Sequence, residues 1–262
     1  MASTVLFVSE VAQYIPLVGV FFFGAILASF AGVYTERVGT GQSWTKGRSK
    51  CNACNRLLRA RDLFPILSLL FSKGRCRTCT AKIPFRYSFS EALTGSLFLL
   101  AYIDYGFSST LAVFYVFAFF LTIIVLYDIR HTIVPFIVSL ILVGTGAVYA
   151  FLVGGNAHDV SLVFLLSGCI GLGFFLLHTL SGGRWMGLGD TPVAIALSLL
   201  TGMQALSGLL FSFWIGAVIG IGILVMTPPG RRMGIEVPFV PFLALGYMLA
   251  LFTQWNPLSL LL

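Results

Sequence analysis

The sequence predicts an all-α polytopic membrane protein of about eight transmembrane helices, with a small cytoplasmic four-cysteine zinc-binding loop domain between the first and second. Three observations carry this. Of 262 residues, 58% are hydrophobic and only 10% are charged, against about 25% charged in soluble domains. Apolar runs of roughly the length a bilayer demands follow one another with short breaks. The basic residues gather in alternate breaks, as retention on one side of a membrane requires. Twenty-five Phe and 28 Gly suit apolar helices that pack closely in lipid.

The first run, Ile15–Tyr34, is preceded by Glu10 and by no basic residue, so it is read as a retained span rather than a cleaved signal. The polar, basic stretch from Thr40 to Tyr87 follows, and it is the one candidate extramembrane domain. The second run is Phe89–Tyr105, with Glu91 near its start, and the third is Thr110–Tyr127, ending on Asp128. Arg130 and His131 separate it from the fourth, Ile133–Val153; the fifth is Val160–Leu180. A glycine-rich break, Ser181–Asp190, leads to a sixth run, Thr191–Met203. Its ~13 residues barely span, so its helix is expected to begin inside that break. The seventh run is Ala205–Met226 and the eighth Val237–Trp255.

Charge tests this order. Twelve of the 16 Lys and Arg lie between Arg37 and Arg86; the others are Arg130, Arg184, Arg231 and Arg232. With eight alternating spans and the amino terminus outside, the inward loops are 36–88, 128–132, 181–190 and 227–236. All 16 basic residues fall in them. Both termini then lie outside, and the net charge of +7 reads as a topology signal rather than the mark of a nucleic-acid partner. Asp104, His158 and Asp159 lie at outward ends and read as solvated turn residues. The domains follow: 1–35 an N-terminal transmembrane segment, 36–88 the loop domain, 89–262 seven further helices.

Four of five cysteines form two pairs, Cys51/Cys54 and Cys76/Cys79, separated by 21 residues. Facing the reducing cytoplasm, they read as metal ligands rather than disulfides. Two such pairs supply the four thiolates of a closed, tetrahedral structural Zn²⁺ site. The flanking Lys50, Arg75 and Arg77 favour deprotonated thiols. A loop of this size buries little core, so metal binding would be the main reason it folds. Cys169, alone in an apolar run, reads as a small buried side chain.

Asp128 and Asp190 reach the same cytoplasmic edge under this topology. Carboxylates at membrane depth are costly and mark function. A sharing pair cannot both ionise cheaply, so one keeps a proton and acts as acid while the other activates water against a peptide carbonyl. Gly187 and Gly189 give the second carboxylate backbone room for an extended substrate. The bland alternatives are an N-cap role for Asp190 ahead of Pro192, and an Asp128–Arg130 ion pair.

These residues carry a family likeness. The chain resembles the bacterial type IV prepilin peptidases, which cleave prepilin leaders and methylate the new amino terminus. The likeness runs through Ser29-Phe30, Gly47 to Cys51, Gly74 to Cys79, Ile83-Pro84, Arg86-Tyr87 and Glu91. It continues through the Asp128 stretch with Pro135, Gly187-x-Gly189-Asp190, and Val237-Pro238-Phe239 to Pro241-Phe242. The resemblance implies that Asp128 and Asp190 are the catalytic pair of a GxGD-type intramembrane aspartyl protease of the inner membrane, supported by Gly187 and Gly189. It implies prepilin or pseudopilin substrates with a short basic leader, a lipid setting, and service to pilus or secretion machinery. For methylation it implies S-adenosylmethionine, with Glu91 the matched acid open to that role; a first-turn charge favoured by the helix dipole is the plainer reading. The chain departs from the family pattern at three places. Asp190-Thr191-Pro192 stands where Asp-x-Lys is usual, Ala28-Ser29-Phe30-Ala31-Gly32 where Gly-Ser-Phe-Leu-Asn is, and Pro238-Phe-Val-Pro241 where Pro-Phe-Gly-Pro is.

Two other classes stay open. One is a catalytically inactive pilus or secretion assembly protein using the zinc loop. The other is a proton-coupled transporter using Asp128 and Asp190, against which stands the lack of a half-to-half repeat.

Overall fold

Each of the eight apolar runs forms a helix. The computed structural model describes residues 14–40, 43, 45–228 and 237–255; Glu10, Arg231 and Arg232, used above for topology, lie outside the described residues. The helices are α1 (Tyr14–Arg37), two short ones in the loop, α2 (Ala60–Leu63) and α3 (Leu67–Ser72), then α4 (Phe85–Tyr105), α5 (Ser109–His131), α6 (Phe136–Val153), α7 (Ala157–Ser181), α8 (Asp190–Thr201), α9 (Ala205–Met226) and α10 (Val240–Thr253). The described residues form no strand, and the chain is all-α as expected. Five stretches are long and apolar enough to cross a membrane: α1, α5, α6, α7 and Asp190–Met226 taken as one.

The chain divides into two units, Met1–Leu111 and Ala112–Leu262. In the first, α1 packs along α4. The fit depends on small residues: a Cβ at Gly95 would stand 2.7 Å from the Phe21 carbonyl oxygen, and one at Gly24 2.8 Å from the Phe98 ring. Near the polar ends the Tyr87 hydroxyl donates to Glu36. That packing explains a boundary the hydropathy missed. α4 begins at Phe85, directly after Pro84, and its first turn includes Arg86, Tyr87 and Ser88, residues whose polarity reads as loop.

In the second unit α8 is central. It packs against α6, α7 and α10, and every residue from Val193 to Thr201 except Ile195 is buried. A helix apolar on all sides belongs inside. A Cβ at Gly146 of α6 would meet the Ala196 carbonyl oxygen at 2.9 Å, and one at Gly171 of α7 would meet Ile195 at 2.4 Å. α8 has 12 residues, about 18 Å; neighbouring helices shield it, so its shortness exposes little to lipid.

Cys169 of α7, expected to be buried, is exposed, because an apolar run in lipid does not tell a packed face from an open one. The next helix, α8, starts at Asp190, the last residue of the glycine-rich break, so the expected start inside that break holds by one residue. Residues 182–189 are not helical, because Gly182 and Gly183 take φ of +59° and +78° and end α7. At the other end Gly202 (φ +57°) terminates α8 and a short 3₁₀ turn reverses the chain. α9 then runs antiparallel to α10, with Gly208 against Tyr247 and Gly216 against Phe242. Two turns into α8 and α10, Ser198 Oγ and the Tyr247 hydroxyl hydrogen-bond at 3.0 Å, both fully buried.

Candidate functional site: two carboxyl groups and a cysteine cluster

Asp128 sits in the last turn of α5 and Asp190 is the first residue of α8. Both are buried, at 5% and 7% exposure. The charge of Asp128 is felt at Asp190. Each is oriented by one backbone donor. Asp128 Oδ2 accepts the Val240 N–H at 3.1 Å. Val240 opens α10, so this carboxyl satisfies one of the donors that a helix start leaves unpaired. Pro241 follows it and has no N–H to offer.

Asp190 is held by its own loop. The Gly187 N–H donates to Asp190 Oδ2 at 3.2 Å, and the Asp190 N–H donates to the Gly187 carbonyl at 3.2 Å. The N-cap position is occupied by Gly189, so Asp190 is not the cap the plain reading made it. Pro192 lies in the first turn, where a missing N–H costs nothing. Gly189 is where the two aspartate motifs meet: a Cβ there would stand 2.6 Å from Val134 Cβ, in the turn after Asp128. The loop is also pinned to the end of α7, with His178 Nδ1 2.9 Å from the Met186 carbonyl and the Trp185 N–H donating to Ser181 Oγ at 3.3 Å. Thr191 Oγ1, beside Asp190, is buried without a hydrogen-bond partner among the described residues.

In the other unit, the ligand atoms of Cys51, Cys54, Cys76 and Cys79 all lie within 4.8 Å of one another. Cys51 and Cys79 Sγ are 3.8 Å apart. A tetrahedron with ~2.3 Å metal–sulfur arms has edges of about 3.8 Å, so the four thiols fit Zn²⁺. The two pairs are built alike. In the first, the Cys51 N–H donates to the Arg56 carbonyl and the Asn55 N–H to the Cys51 carbonyl; in the second, Cys76 bonds Ala81 and Thr80 bonds Cys76. The turn residues Asn55 and Thr80 both take φ of +55°.

Backbone N–H groups aim at the first thiol of each pair. Those of Cys54 and Ala53 lower Cys51, and those of Cys79 and Thr78 hold Cys76 down at about 6. Asp62 joins the two pairs, bonding Arg56 at 3.0 Å and Arg77 at 3.3 Å. Burial disfavours its ionisation, but the Arg59 N–H and these two guanidiniums hold it below the usual carboxylate range. Asp62 thus ties Arg77, next to Cys76, to Arg56, two residues after Cys54.

Comparison with known proteins decides the family. A model of the bacterial peptidase A24 N-terminal domain matches residues 22–105, and one of the type IV leader peptidase family matches 115–225. The chain is 30% identical over 231 residues to a prepilin leader peptidase/N-methyltransferase of Bacillus subtilis, covering 88% of this chain and 91% of that protein. The chain belongs to the type IV leader peptidase family. A Dichelobacter nodosus family protein with the same description is 31% identical over 76% of this chain and 68% of its own length. An Escherichia coli type 4 prepilin-like proteins leader peptide-processing enzyme is 31% identical, covering 79% of this chain and 76% of the relative. No solved structure matches.

Within the family frame, Glu91 is the sequence-flagged residue whose surroundings differ from expectation. It lies in the second turn of α4, not the first, and is buried at 8% exposure. Its Oε2 accepts the Ile66 N–H at 2.8 Å, and Ser29 of α1 bonds the same side chain. Three residues escaped sequence reasoning altogether: Val134, Val240 and Asp62. The proline motif around Val240 was visible as a signature, but nothing local says which backbone N–H a distant carboxyl will take.

Proposed function

We propose that this chain is a membrane-embedded aspartyl endopeptidase that removes the short basic leader of type IV prepilins or pseudopilins at the cytoplasmic face of the inner membrane, with Asp128 and Asp190 as a GxGD-type catalytic pair. The observation that carries this is two buried carboxyl groups, each fixed by one backbone donor, on segments that meet where Gly189 packs against Val134. Such a pair shares one proton at neutral pH. The ionised member takes a proton from water as the water oxygen bonds the scissile carbonyl carbon. The protonated member gives its proton to the carbonyl oxygen. Collapse of the tetrahedral adduct breaks the C–N bond, the leaving amine takes a proton, and the pair returns to its one-proton state. The unpartnered Thr191 hydroxyl supplies a polar group beside Asp190 for water or substrate backbone.

The cytoplasmic assignment of both aspartates and the cysteine loop rests on the confinement of basic residues to alternate loops. We take 36–88 as the metal-binding loop domain and 89–262 as the peptidase domain, with Zn²⁺ structural. Pilus or secretion machinery is the partner class implied by the substrates. Methylation of the new amino terminus, named in the relatives, takes its methyl group from S-adenosylmethionine. Glu91, engaged by Ile66 and Ser29, does not present a free carboxylate to hold that cofactor, so no step is assigned to it.

Mass spectrometry of a prepilin co-expressed with this chain tests the reading. The expected product lacks its leader and is one methyl group heavier than the bare mature chain; an uncut prepilin sinks the peptidase. A second expectation concerns the loop junction. Gly189→Ala drives a methyl into Val134 and shifts the second carboxyl, lowering the cleavage rate by roughly 10²-fold. Val134→Ala in the same chain recovers most of it. A Gly189→Ala enzyme of undiminished rate removes Val134 from the account.

A further inference from the structure

Between the two cysteine pairs run ten residues without a charge, Leu63 to Ser72, bounded by Asp62 and Lys73. Hydropathy places them inside a polar loop; the packing does not. The Phe64 ring stands 5.6 Å, edge-on, from Phe22 of α1. Phe22 precedes the basic end of that helix, Arg37, by fifteen residues, roughly 22 Å of rise. Ile66 donates to Glu91, and the same carboxylate takes Ser29. Ser29 is eight residues before Arg37, about 12 Å deep by the same rise. Glu91, in turn, is five residues after Arg86 of α4, about 8 Å by that rise. The two pairings therefore place Phe64 and Ile66 below the charged ends of α1 and α4, in the outer part of a ~30 Å hydrocarbon core.

The backbone at this depth is prepared for a dry setting. Irregular chain survives in hydrocarbon only where its polar groups are met. Pro65 has no N–H, and the next one, on Ile66, is taken by Glu91. Ile66 itself holds φ of +63°, which a β-branched residue adopts only under constraint. Beyond the turn, α3 shows Leu70 at 65% and Phe71 at 75% exposure. On a water-facing domain that apolar surface would be a liability; beside α1 and α4 it meets acyl chains.

We propose that residues 63–72 form a re-entrant membrane segment lying against α1 and α4, with Leu70 and Phe71 facing lipid acyl chains, its apex held by Glu91 and its two ends clasped by the cysteine cluster. The cluster then closes the mouth of a membrane hairpin, and Glu91 is a positioning residue that acts through the Ile66 N–H. This does not depend on the peptidase reading.

The test is quenching of a fluorophore attached at Phe71→Cys, in a Cys169→Ser background, with the zinc-loaded protein in liposomes. Quenching by lipid carrying a nitroxide on its acyl chain is compared with quenching by acrylamide in the water. The Phe71 label is expected to respond several-fold more to the nitroxide lipid, and a label at Arg61→Cys to show the reverse. Leu70→Cys serves as a second position should the first lose zinc. Acrylamide quenching at 70 and 71 as strong as at 61 overturns the proposal. Adding Glu91→Ala, with zinc still near one per chain, is expected to raise acrylamide quenching at 71; an unchanged pattern removes Glu91 from it.

Discussion

Asp128→Asn and Asp190→Asn each abolish leader cleavage of a co-expressed prepilin, by on the order of 10³-fold or more, while the amount of protein in the membrane stays the same. Asparagine matches aspartate in shape and keeps a carbonyl oxygen. It can still accept from Val240 in the first variant and from Gly187 in the second. The packing of α5, α8 and α10 is therefore preserved, and what disappears is the ability to take up and release a proton. Because the two carboxyls act as one unit, the double variant is expected to be no worse than either single one. The measurement is the ratio of processed to unprocessed substrate at matched enzyme levels. A single Asn variant that keeps a tenth of the activity would defeat the two-aspartate mechanism.

Cys76→Ser is expected to take zinc from about one per chain to near zero and to open the loop to trypsin. The magnitude follows from comparing two energies. Structural zinc binds four-thiolate sites with ~10–16 kcal/mol, which equals or exceeds the ~5–15 kcal/mol that holds a whole domain. Among the described residues the rest of the loop is held by less: two helices of four and six residues, two isolated bridges, the Asp62 ion pairs, and the Phe64 and Ile66 contacts with α1 and α4. Cys76 is the most buried of the four thiols, and serine offers the metal no comparable anion. Twelve basic residues between Arg37 and Arg86 make the unfolded loop a dense trypsin target. Metal-free protein whose loop resists trypsin as the wild type does would show that zinc is not what folds it.

The fold was largely legible because a bilayer imposes length and apolarity on every span. Eight runs became eight helices. The boundaries that moved did so for reasons outside hydropathy. α4 extends back to Phe85 because Tyr87 bonds Glu36 across to α1, and α8 waits until Asp190 because Gly182 and Gly183 release the chain from helix. That α8 would be enclosed on all sides was not legible, since its short apolar run looks the same whether neighbours or lipid surround it. At the candidate site the carboxyls and glycines announce themselves by type and spacing. Their partners do not. Val134 is one apolar residue among many, the Val240 donor is main chain, and Ile66 gives no sign in its side chain that its φ is positive.

The seat of Gly189 against Val134 has a consequence for descent. The turn after Asp128 and the loop before Asp190 are far apart along the chain, yet neither can change length alone. A residue inserted between Asp128 and Val134 would lift the valine off the glycine, and one inserted between Gly189 and Asp190 would rotate the carboxyl away from its mate. The two segments are thus a single heritable part, and variation in one is tolerated only with a matching change in the other.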